Sequence, residues 1–124
     1  MDIFASSHTC LPVFQRLNLD GSAAQGWVLN NGAAGMPNFA NDSAGLLTRI
    51  ALTPCDSTYS RGTVLHRDLY IDAVAIAVNP TKVKQDFLEQ WPPGSDAHAS
   101  YFDRIENGPH YHPHQLIRLE DSLC

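Results

Sequence analysis

The side chains best placed to do chemistry are His8 and Cys10, in Ser7-His8-Thr9-Cys10-Leu11-Pro12. A neutral imidazole is a good ligand for divalent transition metals. A thiolate binds soft metals, or attacks as a nucleophile when its pKa is lowered. Both stand in a polar turn between two apolar stretches, Ile3-Phe4-Ala5 and residues 11–19. A turn at a strand end can hold such groups rigidly. Against this, a single histidine in a turn is more often structural or merely solvated. A lone cysteine beside Leu11 is more often a small buried hydrophobe.

A second candidate is the loop Asn30-Asn31-Gly32-Ala33-Ala34-Gly35-Met36-Pro37-Asn38. Small or absent side chains let backbone N–H groups approach an anion closely, and Asn31 and Gly32 are the positions where that contact is expected. The plainer alternative is a tight connection out of a strand. A third candidate is His110, His112 and His114, which alternate in Pro109-His110-Tyr111-His112-Pro113-His114. In an extended segment they would project to one side and could take up a metal adventitiously, but a solvated tail explains them as well. His66 and His98 fall within regular elements and read as surface or satisfied core residues. Asp42, Asp56, Asp68 and Asp72 are dispersed, and no two pair by spacing. No Ser-His-Asp arrangement, P-loop or dinucleotide fingerprint can be assembled.

The elements that would carry these groups are strands first and helices later. Residues 3–5 read as the end of a buried strand, and residues 12–19 as a half-exposed strand with Pro12 at its first position. Asp20-Gly21-Ser22 is a turn signal, after which residues 26–29 return as the partner of a hairpin. Residues 45–53 are strand-like and 54–62 a polar turn region. Residues 64–78 form one long β-branched and aromatic run, read as strand. Helices are expected over 81–90, ended by Trp91-Pro92-Pro93-Gly94, and over 96–107, with Ser95 as N-cap and Gly108 as C-terminal stop. A further helical turn or two is expected over 113–119. The fold class is α+β, a partial α/β sandwich with mostly antiparallel or mixed strands over about 3–78 and helices over about 81–120.

A length of 124 residues fits one domain, spanning 1–124, with chain enough for a core. The formal net charge of -5 and scattered basic residues exclude an electrostatic nucleic-acid surface. No apolar run approaches the roughly 20 residues that span a bilayer, and no basic region precedes an apolar segment at the N-terminus. Cys10, Cys55 and Cys124 make an odd count without paired spacing, which favours a reducing compartment, by default the cytoplasm.

In order and spacing, the Ser7-His8-Thr9-Cys10 turn, the Val28-Leu29-Asn30-Asn31-Gly32-Ala33-Ala34-Gly35-Met36-Pro37 stretch and the strand-like segment 45–52 resemble the C-terminal part of calcineurin-like metallophosphoesterases. There a strand, a Gly-His-x-His turn, a hairpin and an Asn-x-Gly-Ser-like loop close the sandwich. The resemblance covers roughly the first half of the chain, and the helical half is similar to the tail of some bacterial members more loosely. It implies metal-dependent phosphate-ester hydrolysis. Two divalent ions (Mn, Fe or Zn) lower the pKa of a bound water or hydroxide and neutralise charge during in-line attack on phosphorus. His8 then matches the first histidine of the turn and becomes a metal-ligand candidate. Cys10 stands where the family has the second, so thiolate replaces imidazole or that contact is lost. Ser7 stands in place of Gly.

The family's Asp-x-His, Gly-Asp-x-x-Asp and Gly-Asn-His-Asp/Glu motifs lie upstream of this turn, and none of them precedes His8 in this sequence. One histidine cannot assemble a dinuclear site. The expectation is therefore a truncated or inactive C-terminal part, with no hydrolysis by this chain alone. Its partner would be a missing N-terminal segment or another copy of itself, since a half-sandwich exposes strand edges and an apolar face. The alternative is a non-catalytic α+β interaction or oligomerisation domain. A single-metal or thiol enzyme using His8 and Cys10 is a third reading.

Overall fold

The computed structural model describes residues 2–19 and 24–119. The turn expected at Asp20-Gly21-Ser22, and Cys124, lie outside them. The order of elements is β1 (Ile3–Ser6), β2 (Pro12–Asn18), β3 (Gln25–Asn31), β4 (Gly45–Ala51), β5 (Ser60–His66), β6 (Leu69–Ile76), α1 (Pro80–Gln90), α2 (Asp96–Asn107), a single 3-10 turn at Pro113–Gln115, and β7 (Ile117–Arg118). The fold is α+β. A mixed sheet runs β1-β3-β2-β7 and an antiparallel sheet β4-β6-β5.

The two sheets share one core. β2 and β3 alternate so that Phe14, Trp27 and Leu29 are buried together, opposite Leu46, Val64, Ile71 and Ala73 of the second sheet. Phe39, Tyr111 and Leu116 complete the cluster from connecting segments. Burying each such side chain contributes about 1.5–3 kcal/mol, so this cluster is the main force fixing strand register.

Three expectations change. β1 is an edge strand and not a buried one: Phe4 is 51% exposed, because β1 pairs with β3 on one side only. The apolar run 64–78 is two strands. Arg67 takes a left-handed φ of 54° and turns the chain, so that His66 pairs with Leu69 in an antiparallel hairpin. The segment 113–119 holds only the 3-10 turn, and then Ile117 and Arg118 pair in parallel with Phe14 and Gln15. Leu116, fully buried in the shared core, pulls this segment out of helix and onto the sheet.

α2 begins and ends on the residues that its sequence signals mark, and α1 begins at Pro80, one residue ahead of the expected start. Asn79 caps α1 by accepting from the Lys82 N–H at 3.1 Å, with Pro80 at the first helical position. Ser95 caps α2 by accepting from the His98 N–H at 3.3 Å, and Gly108 stops it with φ 75°. The helices meet through Phe87, His98 and Phe102, with His98 stacked on Phe102 at 4.5 Å. Lys84 pairs with Glu106 across the same seam. His98 is thus occupied in helix contact. No helix among the described residues is long and apolar enough to cross a membrane.

Candidate functional site

Topology brings the first two candidate segments together. β1 and β2 flank β3, with Ser6 beside Asn30 and Pro12 beside Asn31. The connection from β1 to β2 must therefore pass over the C-terminal end of β3. That connection is the His8 turn, and the chain leaving β3 beneath it is the 30–38 loop.

The turn is strained and open. His8 has φ 102° and Cys10 φ 55°, in a region where L side chains crowd the backbone and cost on the order of 1–2 kcal/mol each. Ser7, His8 and Thr9 are exposed and Cys10 half-buried. The Cys10 thiol lies 3.6 Å from the His8 carbonyl, a weak contact for a sulfur donor. Such strain persists only where the surroundings over-determine it.

The loop beneath is closed and saturated. Asn38 is fully buried: its Oδ1 accepts from the Ala33 N–H at 2.7 Å, and its Nδ2 donates to the carbonyls of Ala33 (2.7 Å), Met36 (3.1 Å) and Ala44 (3.4 Å). Asn30, also buried, accepts the Gly32 N–H at 2.8 Å and donates to Ser6 Oγ at 3.4 Å. Ser6 Oγ donates onward to the Leu29 carbonyl at 3.0 Å. Gly32 has φ 75°, and a Cβ there would run into Asn38 Oδ1 and Pro12. Asn31 donates through Nδ2 to the Leu46 carbonyl at 3.0 Å, and Ala33 accepts the Leu46 N–H at 2.9 Å, tying the loop to the second sheet. The N–H groups of Gly32 and Ala33 are thereby engaged inside the protein. An anion at this loop would have to be met by other groups.

Beyond the loop, Arg61 donates to Asp42 at 2.8 Å, and the Ala44 N–H donates to the same carboxylate at 3.0 Å. Burial pushes the Asp42 carboxyl up, but these two bonds and the arginine's charge outweigh it and leave the pKa below its ordinary value. The groove beside the turn is shallow and open, lined among others by Ser6, Ser7, Asn31, Leu47 and Thr48. The Thr48 hydroxyl is buried there without a hydrogen-bond partner among the described residues.

Other sequence candidates stay apart. His112 and His114 stack ring on ring at 5.8 Å on the 3-10 turn, where the His112 N–H is held by Gln115 Oε1 at 2.8 Å. Tyr111, which lies between His110 and His112, points inward and its hydroxyl reaches the carbonyls of Pro12 (2.8 Å) and Gln115 (2.9 Å). His66 lies 3.8 Å from Asp2, which also pairs with Arg67. Among the described residues no three of His, Cys, Asp and Glu converge on one point. His8 and Cys10 thus offer at most two donors, which is short of a dinuclear centre.

Two buried or bridging side chains carry no signal in the sequence. Asp72 is fully buried, accepting from Arg49 at 3.0 Å and from the Thr63 hydroxyl at 2.7 Å. Only the register of β4, β5 and β6, which sets Arg49 and Thr63 opposite Asp72, could have revealed it. The other is Arg104 of α2. Its Nη2 donates to the Cys10 carbonyl at 2.7 Å and its Nε to the Pro37 carbonyl at 3.2 Å, joining turn to loop. No protein-family model, curated protein or solved structure matches this chain.

Proposed function

We propose that these residues are the C-terminal part of a calcineurin-like metallophosphoesterase, contributing His8 to a metal centre whose other ligands come from outside them. The observation that supports this is the crossing of the His8 turn over the end of β3, directly above the 30–38 loop. The resemblance rests on the order of these two segments, and the fold makes them neighbours. In this reading His8 is the one imidazole ligand the chain supplies. Cys10 has replaced the second histidine, and the loop with Asn31 and Gly32 is the platform under the turn. The described residues do not fit a complete centre, so no catalytic step is assigned to them. The reading carries with it a divalent metal (Mn, Fe or Zn), a cytoplasmic setting, and association either with the segment bearing the other ligands or with a second copy.

Reading the DNA in frame upstream of the Met1 codon tests this. The proposal expects Asp-x-His, Gly-Asp-x-x-Asp and Gly-Asn-His-Asp/Glu coding sequence there, in that order and in the same frame. An upstream region coding for none of them contradicts it and favours the second reading, a non-catalytic α+β interaction domain. That alternative draws on exposed apolar groups at sheet positions, including Phe4, Leu47, Ile50 and Leu65.

A further inference from the structure

Arg104 holds the His8 turn in place. Among the described residues, its guanidinium is the only side chain from outside the turn that hydrogen-bonds it, through the Cys10 carbonyl at 2.7 Å. The same planar group reaches the Pro37 carbonyl at 3.2 Å. Two donors fixed on one rigid fork set the spacing of the carbonyls they hold, as a single ammonium cannot. The carbonyl held belongs to Cys10, one of the two residues of the turn at positive φ. The end of α2 that carries Arg104 is anchored independently. The Asn41 N–H donates to the Asn107 carbonyl at 2.9 Å, the Ala40 N–H to the Tyr111 carbonyl at 2.8 Å, and Gly108 lies so close to the Phe39 carbonyl that a side chain has no room. Phe39 and Tyr111 stack at 5.9 Å below this contact. The arginine thus reaches out from a fixed base to a turn that would otherwise relax.

We infer that Arg104 is a positioning residue, which locks the strained His8–Cys10 turn against the 30–38 loop and so fixes how His8 is presented. Why that presentation matters rests on the proposed function; the restraint itself is a property of the chain without metal or substrate. Charge alone does not perform this role, because it needs two donors on one plane.

The test uses two cysteines of the same chain. Cys10 sits in the restrained turn, whereas Cys55 lies in the connection between β4 and β5. Iodoacetamide alkylation followed by peptide mass spectrometry reads both in one sample, for the native chain, Arg104→Lys and Arg104→Met. Releasing a charge-assisted restraint should raise the Cys10 rate about three- to tenfold in both variants, with Cys55 unchanged. A lysine variant that matches the native rate while methionine does not shows that charge suffices, and overturns the inference. So does a parallel rise of both cysteines, which marks general loosening, or no change at either. None of these outcomes depends on phosphoesterase activity, so the inference and the functional reading can fail separately.

Discussion

The His8 turn and the 30–38 loop lie against each other at one end of the same sheet, yet they are held in opposite ways. The loop is fixed chiefly from within, beside its ties to Leu46 and Arg104: Asn38 and Asn30 satisfy its backbone, and Gly32 supplies the one conformation in it that a side chain would block. The turn is fixed from outside, with two side-chain-bearing residues at positive φ and a clamp from α2. A buried polar network that is fully paired is rigid and costly to disturb. A strained exposed turn is the opposite, since it carries energy that folding does not need. The loop is therefore the rigid base, and the turn the strained part held against it.

Substitutions should separate the two. The largest effect is expected for Asn38→Ala, which strands the Ala33 N–H and the carbonyls that Asn38 serves; a loss of about 3 kcal/mol should appear as a lower urea midpoint. Gly108→Ala should cost about 2 kcal/mol, because φ 75° and the nearby Phe39 carbonyl both oppose a methyl group. In the turn the sign should reverse. Cys10→Gly relieves a φ of 55° and should stabilise by about 0.5–1 kcal/mol in the same denaturation experiment. A destabilised Cys10→Gly chain would erase the contrast.

The smallest expected effect is on acid stability. The folded-state pKa of Asp42 lies below its ordinary value of 3.8. Its contribution is therefore fully present above that value and is lost as pH falls through the lower folded one. Melting temperatures of the native chain and Asp42→Asn between pH 5 and about pH 2.5 should converge at the acid end. Curves that stay parallel throughout would show that the Arg61 pair adds nothing.

How much of this was legible follows from where each signal lives. α2 was readable because its start and stop are local: Ser95 caps and Gly108 ends it. The strands of the first hairpin were readable from alternation, which their shared core then enforces. The break at Arg67 was not, because the usual turn residue for positive φ is Gly or Asn and here it is arginine. β7 was hidden because two residues carry no periodicity, and only the burial of Leu116 and pairing with β2 define it. At the site, His8 and its loop could be named from residue type, but their contact depended on the strand order β1-β3-β2. The arginine joining them stands 94 residues from Cys10 and 67 from Pro37, a separation at which no spacing rule operates.

The central claim is that His8 is a ligand in a metal centre that these residues share but do not complete. Manganese-dependent hydrolysis of p-nitrophenyl phosphate tests it most directly. It should be measured for this chain alone and for the chain joined to a polypeptide bearing the Asp-x-His, Gly-Asp-x-x-Asp and Gly-Asn-His-Asp/Glu motifs, each with and without His8→Ala. The account predicts no turnover by the chain alone, and turnover by the joined protein that falls about a hundredfold when His8 is removed. Turnover by the chain alone that His8→Ala abolishes, or joined activity indifferent to His8, would contradict it.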